Sequence, residues 1–201
     1  MQGGKADFRG IFVLERKPDQ ERENGMKRWI ILLRGVTPTG KNKVPMAALR
    51  QALSKAGFEN VRTWIQSGNA LVDTELDRAQ TEAAVQRVLR EDIKTELAVI
   101  VKTAQEIREA LDGNPFADLP LERVFFGLFN EIPPLEKVSA LLSLDFGEDL
   151  LRISLNAVYT FIPGTAARTK LNNAWLQHKL GTALTFRNAN TLNKLVEMAG
   201  G

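Results

Sequence analysis

One order of segments occurs twice along this chain: a strand, a helix, a two-stranded hairpin, a helix and a strand. No other feature restricts the fold as much, because βαββαβ closes into a small sheet with its helices on one face. The first pass opens with the apolar run at residues 29–34, whose length suits a buried strand ending at Gly35. After a polar stretch of ten residues, Pro45 suits a first helical position, and Met46, Leu49, Leu53 and Ala56 recur at helical spacing up to Gly57. Residues 61–66 and 70–73 read as strands joined by the turn chemistry of Ser67-Gly68-Asn69. Residues 77–95 carry Val85, Val88, Leu89 and Ile93 on one helical side, and 97–102 is a further strand.

Thr103 and Glu106 stand at capping-box spacing ahead of a helix over Ala104–Asp112. Gly113-Asn114-Pro115 ends it, and 113–122 is the expected boundary. The order then returns: strand Val124–Phe129, helix 134–144, hairpin 150–155 and 158–162 across Asn156-Ala157, helix 170–180 stopped by Gly181, strand 183–187. A closing helix spans 191–198. The expected fold is therefore α+β: two tandem βαββαβ, ferredoxin-like (split-βαβ) halves at 26–112 and 123–201, with an extra C-terminal helix.

Residues 1–25 stand apart. They hold five basic and five acidic residues, and their apolar cluster at 11–14 is shorter than the roughly 7–15 residues of a signal-peptide core. They read as a poorly ordered extension, as translation from upstream of a natural start at Met26 would give. The rival reading is an added edge strand through 8–14. With no cysteine and no export signal, the expected compartment is the cytoplasm. No apolar run approaches the roughly 18 residues of a membrane helix, so no membrane partner is expected.

Composition narrows the chemistry. Zero cysteines and one histidine, His178, exclude a disulfide framework, a thiolate nucleophile, Cys/His zinc sites and His-pair metal sites. No metal site is expected, and no motif names a cofactor. His178 lies at helical spacing from Leu171, Ala174 and Trp175, which suits a packed residue better than a base; no nucleophile elbow accompanies it. The carboxylates sit at salt-bridge spacing on helices and offer no acid–base pair. The sequence assigns no reaction.

Gly35-Val36-Thr37-Pro38-Thr39-Gly40-Lys41-Asn42 fits a P-loop through Gly-x₄-Gly-Lys, but Asn42 replaces the magnesium-binding hydroxyl and the helix starts too late. A broader reading remains. From Arg34 to Arg62 the chain carries a net +5, with Glu59 the sole acid, while residues 63–201 carry −4. A basic, glycine-containing loop suits a small anionic ligand, phosphorylated ones included. In a split-βαβ unit the exit of the first strand and the tip of the hairpin share one edge, which brings 34–43 beside 67–69. The candidate ligand-binding residues are Arg34, Gly35, Gly40, Lys41, Lys43, Ser67, Gly68 and Asn69. Arg187 and Asn188 join them only if the halves pack head to tail. The corresponding edge of the second half, 130–134 and 156–157, has no lysine or arginine, so the halves are not expected to be equivalent. The competing readings are a single-stranded nucleic-acid protein, for which Tyr159 and Phe161 are the available aromatics, and an interaction protein with no small ligand. Tyr159 and Phe161 suit packing better than base stacking, since neither central strand carries the RNA-binding signature. Oligomeric state is not legible.

Several strings resemble one family. Residues 31–35 (Ile-Leu-Leu-Arg-Gly), 40–46 (Gly-Lys-Asn-Lys-Val-Pro-Met), 57–63 (Gly-Phe-Glu-Asn-Val-Arg-Thr) and 65–69 (Ile-Gln-Ser-Gly-Asn) are similar to the opening of the bacterial domain of unknown function 1697 family. Asn114-Pro115-Phe116 and Arg187-Asn188, with Thr191, Lys194 and Leu195, also resemble it. The departures are Thr39 in a place where the family tends to have a glycine pair, and Ala189 where it tends to have an aromatic. The resemblance implies a fold and a set of recurrent polar residues, with no established activity.

Overall fold

The computed structural model describes residues 25–165 and 169–200. The N-terminal extension and the rival strand at 8–14 therefore lie outside the described residues, Gly25 excepted. The first half runs β1 (Lys27–Leu33), α1 (Met46–Lys55), β2 (Glu59–Trp64), β3 (Asn69–Thr74), α2 (Arg78–Val88), β4 (Val99–Lys102) and α3 (Ala104–Asp112). The second runs β5 (Val124–Phe129), α4 (Leu135–Leu142), β6 (Leu150–Ile153), β7 (Val158–Phe161), α5 (Asn173–Leu180), β8 (Leu184–Asn188) and α6 (Ala189–Met198). The two four-stranded sheets have orders β2-β3-β1-β4 and β6-β7-β5-β8, antiparallel throughout. The tandem α+β arrangement is the one the sequence implies. Each half ends in a helix beyond its sheet, α3 over the expected Ala104–Asp112 and α6.

Those two helices create the core that joins the halves. Strand alternation sends Trp29, Ile31 and Leu33 to one face of β1, where Leu49 and Leu53 of α1 and Val85 of α2 cover them. Ile30 and Leu32 point the other way, into a cluster shared with Ile107 and Ala110 of α3, Phe126, Leu128 and Tyr159 of the second sheet, and Leu192 and Leu195 of α6. Phe129, Leu141, Val158, Leu176, Leu180 and Leu184 form a third cluster under α4 and α5. Both faces of each sheet thus carry buried side chains. Tyr159 is only 1% exposed, with its ring edge-on to Phe126, and Phe161 lies against Phe116. Both aromatics pack in the core shared by the halves.

Local chemistry explains the boundaries and corrects several. Thr103 and Glu106 form the expected reciprocal cap. Asp77 and Gln80 form another at α2, whose helix ends sooner than 95: a π-helical turn over Leu89–Ile93 follows Val88 and stops at left-handed Lys94. Pro45 is the cap of α1 rather than its first residue, and Ala56 is an exposed C-cap outside the apolar stripe. Asn172 caps α5, which leaves Leu171 before the helix and makes Leu176 and Leu180 its buried residues. His178 is consequently exposed in the last turn, not packed. None of the described residues forms a helix long and apolar enough to cross a membrane.

Candidate functional site

Because β1 and β2 run in the same direction on either side of β3, the end of β1 meets the β2–β3 turn at one sheet edge. The Leu33 amide donates to Gly68 O at 2.7 Å. The loop 34–43 folds over this edge. Arg34 N donates to Ala98 O at 3.0 Å, Thr37 N to Asn42 O at 3.1 Å, and Lys43 N to Gly40 O at 3.2 Å. Gly35 and Gly40 take φ +75° and +78°, which side chains resist. Lys41 lies in a turn, its carbonyl accepting from Thr95 Oγ1 at 3.1 Å, and α1 starts at Met46. No helix amino terminus cradles the lysine as in a P-loop.

The turn is held by the other half of the protein. Asn69 is buried; its Nδ2 donates to Trp64 O at 3.2 Å and Ser67 Oγ at 2.8 Å, and its Oδ1 accepts from Arg187 Nε at 2.7 Å. Arg187 Nη2 donates to Leu33 O at 2.9 Å and Ser67 O at 3.0 Å, while Nη1 reaches Thr185 Oγ1 and Phe186 O. Every one of these partners is a neutral oxygen. Burial accordingly pulls the guanidinium well below the usual arginine range, to about 10. Asn188, the next residue, caps α6 by accepting from Thr191 N at 2.9 Å. Gly68 sits at φ +79°, and a Cβ there would lie 2.6 Å from Val36 Cγ2 and 2.8 Å from Leu33 Cβ. Its missing side chain is what lets the loop 34–43 close on the turn.

The structure thus brings Arg34, Gly35, Gly40, Lys41 and Lys43 to the same edge as Ser67, Gly68 and Asn69, and it adds Arg187 across the halves. Asn188 stays at the start of α6. The positive charge of 34–62 divides into two sets. Arg62 donates to Met198 O at the end of α6, and Arg50 to Thr63 Oγ1. Nearby Arg28 grips the buried carboxylate of Asp73 through two bonds, at 2.6 and 2.5 Å. Among the described residues, by contrast, Lys41 and Lys43 are exposed without an ion pair, and Arg34 Nε is enclosed with no hydrogen-bond partner.

Sequence reading missed two neighbours of this edge. Ile65 falls in the strand expected over 61–66, but β2 stops at Trp64 and Ile65 opens the turn at φ +48°, 51% exposed. A cleft of about 330 Å³ lined by Gln86, Arg90, Glu96, Leu97 and Ala98 lies where the loop bonds to Ala98. Only the apolar β-branched character of Ile65, read as strand propensity, was visible in sequence, and it pointed the wrong way.

Residues 26–159 match the family described as "Protein of unknown function (DUF1697)". The chain belongs to that family. The DUF1697 match includes the whole edge except Arg187 and Asn188, which the chain supplies from beyond it. A solved structure of a conserved bacterial protein from Streptococcus pneumoniae is similar, with TM-score 0.70 and 25% identity over 88% of this chain and 99% of that one. No curated protein matches the chain.

Proposed function

We propose that this protein binds a small anionic, phosphate-bearing ligand at the edge formed by the loop 34–43 and the turn 65–68. The observation that carries the reading is Arg34, whose Nε is enclosed yet unpartnered. Buried polar atoms are ordinarily hydrogen-bonded, and a cationic donor left idle costs more than a neutral one. Lys41 and Lys43 on the same loop add two cations without an ion pair among the described residues. Contact with the ligand then falls to Arg34, Lys41, Lys43 and the backbone at Gly35 and Gly40. Asn69, Ser67, Gly68 and Arg187 shape the edge, since their polar groups are already bonded to protein. Base stacking of a single-stranded nucleic acid on a sheet face is disfavoured by the burial of Tyr159 and by the packing of Phe161 against Phe116.

A thermal-shift panel of inorganic phosphate, nucleotides, sugar phosphates, carboxylates and short oligonucleotides tests this. A ligand at 100 times its Kd stabilises by about 2.7 kcal/mol. For a chain of this size that raises the midpoint by roughly 5–10 °C. The double variant Lys41→Ala, Lys43→Ala is expected to keep the parent's own midpoint, because both side chains are exposed, and to lose most of that shift. If the panel gives no shift, or the double variant binds as tightly as the parent, the reading is wrong.

A further inference from the structure

Ile65 takes a strained backbone conformation while its side chain joins none of the apolar clusters of the described residues. A β-branched residue at φ +48° is a genuine outlier, because its branched Cβ crowds the backbone in the left-handed region. Such positions persist where the surroundings over-determine them, and they gather at binding and catalytic sites. The surroundings here do so. Asn69 Nδ2 holds Trp64 O on one side of Ile65, Arg187 Nη2 holds Ser67 O on the other, and Leu33 N fixes Gly68 O. Yet the side chain so constrained is half exposed, and it belongs to none of the three apolar clusters. An exposed turn of this kind would ordinarily carry glycine, asparagine or aspartate. The same turn packs through Gly68 onto Val36, within the loop that carries Arg34, Lys41 and Lys43.

We infer that Ile65 is a ligand-contact residue, and that the ligand is an anion joined to an apolar group, of the aryl or alkyl phosphate class, whose apolar part covers Ile65. This rests on the anion-binding reading above and adds the chemistry of the rest of the ligand. The cations of 34–43 take the charged end. The turn tip, held out rigidly from the sheet edge, takes the apolar end.

The test compares inorganic phosphate with phenyl phosphate by calorimetric titration of the whole chain, using the parent, Ile65→Gly and Ile65→Asn. Glycine and asparagine both accept the left-handed region, so each variant is expected to unfold no earlier than the parent. For the parent, phenyl phosphate is expected to bind about tenfold tighter than inorganic phosphate, the ratio for burying one or two apolar groups. In both variants that ratio is expected to fall to about two, with inorganic phosphate unchanged. If both probes bind the parent equally, or the variants keep the tenfold ratio, the role of Ile65 is refuted while the anion site stands. A loss of many degrees in both variants also refutes it, because Ile65 would then be a structural anchor. If neither probe binds the parent, the anion site fails, and this inference with it.

Discussion

Arg187 is the strongest test of how the halves act on one another. Its guanidinium makes three bonds into the first half, to Asn69 Oδ1, Leu33 O and Ser67 O. Bonds from a charged donor are worth about 1.5–3 kcal/mol each, so their loss amounts to roughly 5–9 kcal/mol. Against this stands the cost of burying a cation among neutral oxygens. The fall below the usual arginine range to about 10 corresponds to roughly 3 kcal/mol. Replacing Arg187 with methionine removes both terms, so Arg187→Met should lose about 2–6 kcal/mol net. In a chain of this length that lowers the midpoint by roughly 4–24 °C.

The loss should also be local before it is global. Amide exchange at Leu33, whose N–H donates to Gly68 O, should accelerate more than exchange in the middle of β5. Arg187→Lys should behave like Arg187→Met, since a point charge cannot reach three acceptors set around a planar fork. Calorimetry and hydrogen exchange on the three proteins check this. A methionine variant that melts within a degree of the parent, with Leu33 exchange unaltered, would show that Arg187 is not a strut. Rescue by lysine would show that charge rather than geometry is what matters.

Two further outcomes follow from geometry and charge. Gly68→Ala adds a Cβ into Val36 and Leu33 as well as a left-handed alanine, whereas Gly40→Ala meets nothing within 4 Å. The first should cost about 2–4 kcal/mol and the second about 1, read from urea midpoints. Glu106 is pushed up by burial, but Lys102 and Arg78 overcome this and hold its carboxyl below the usual 4.5. The group therefore binds fewer protons folded than unfolded, so its contribution is present above about pH 4.5 and is lost as pH falls through the folded value. Urea unfolding between pH 3 and 6 should show Glu106→Gln with a shallower acid decline than the parent.

Local signals in the sequence were enough for most elements, because caps, glycine stops and turn residues act within a few positions. The Thr103–Glu106 box and Gly181 are examples. Errors arose where packing decides. His178 and Leu171 share a spacing, but Asn172 starts the helix between them and turns Leu176 and Leu180 inward instead. The shared core does leave a trace in the sequence. Residues 29–33 are apolar without a break, and an antiparallel strand with one wet face would alternate. Unbroken burial of β1 requires a second cover, which α3, α6 and the second sheet provide. Arg187 is a candidate in the sequence only on the condition that the halves pack head to tail. No local signal decides that packing, which is what converts the arginine into a strut.

The likeness of the two halves ends at that edge, and the reason is a division of labour between equivalent positions. In the first half β1 is followed by a long loop with three cations; in the second β5 is followed at once by Asn130. That side chain imitates a strand, with Oδ1 accepting from Val101 N at 2.8 Å and Nδ2 donating to Val99 O at 3.0 Å. It thereby closes the open edge of β4, which would otherwise present unpaired backbone groups. Arg187, near the end of β8, does the same kind of work at the β2–β3 turn. Both side chains reach from the second half into backbone of the first, at β4 and at the end of β1 together with the turn. The second half acts as the scaffold that fixes these two places, and the first keeps the loop whose cations form no ion pair among the described residues. A fold in which one half braces an edge of the other gains pre-organisation there: the turn and the end of β1 are already held, as the anion-binding proposal requires.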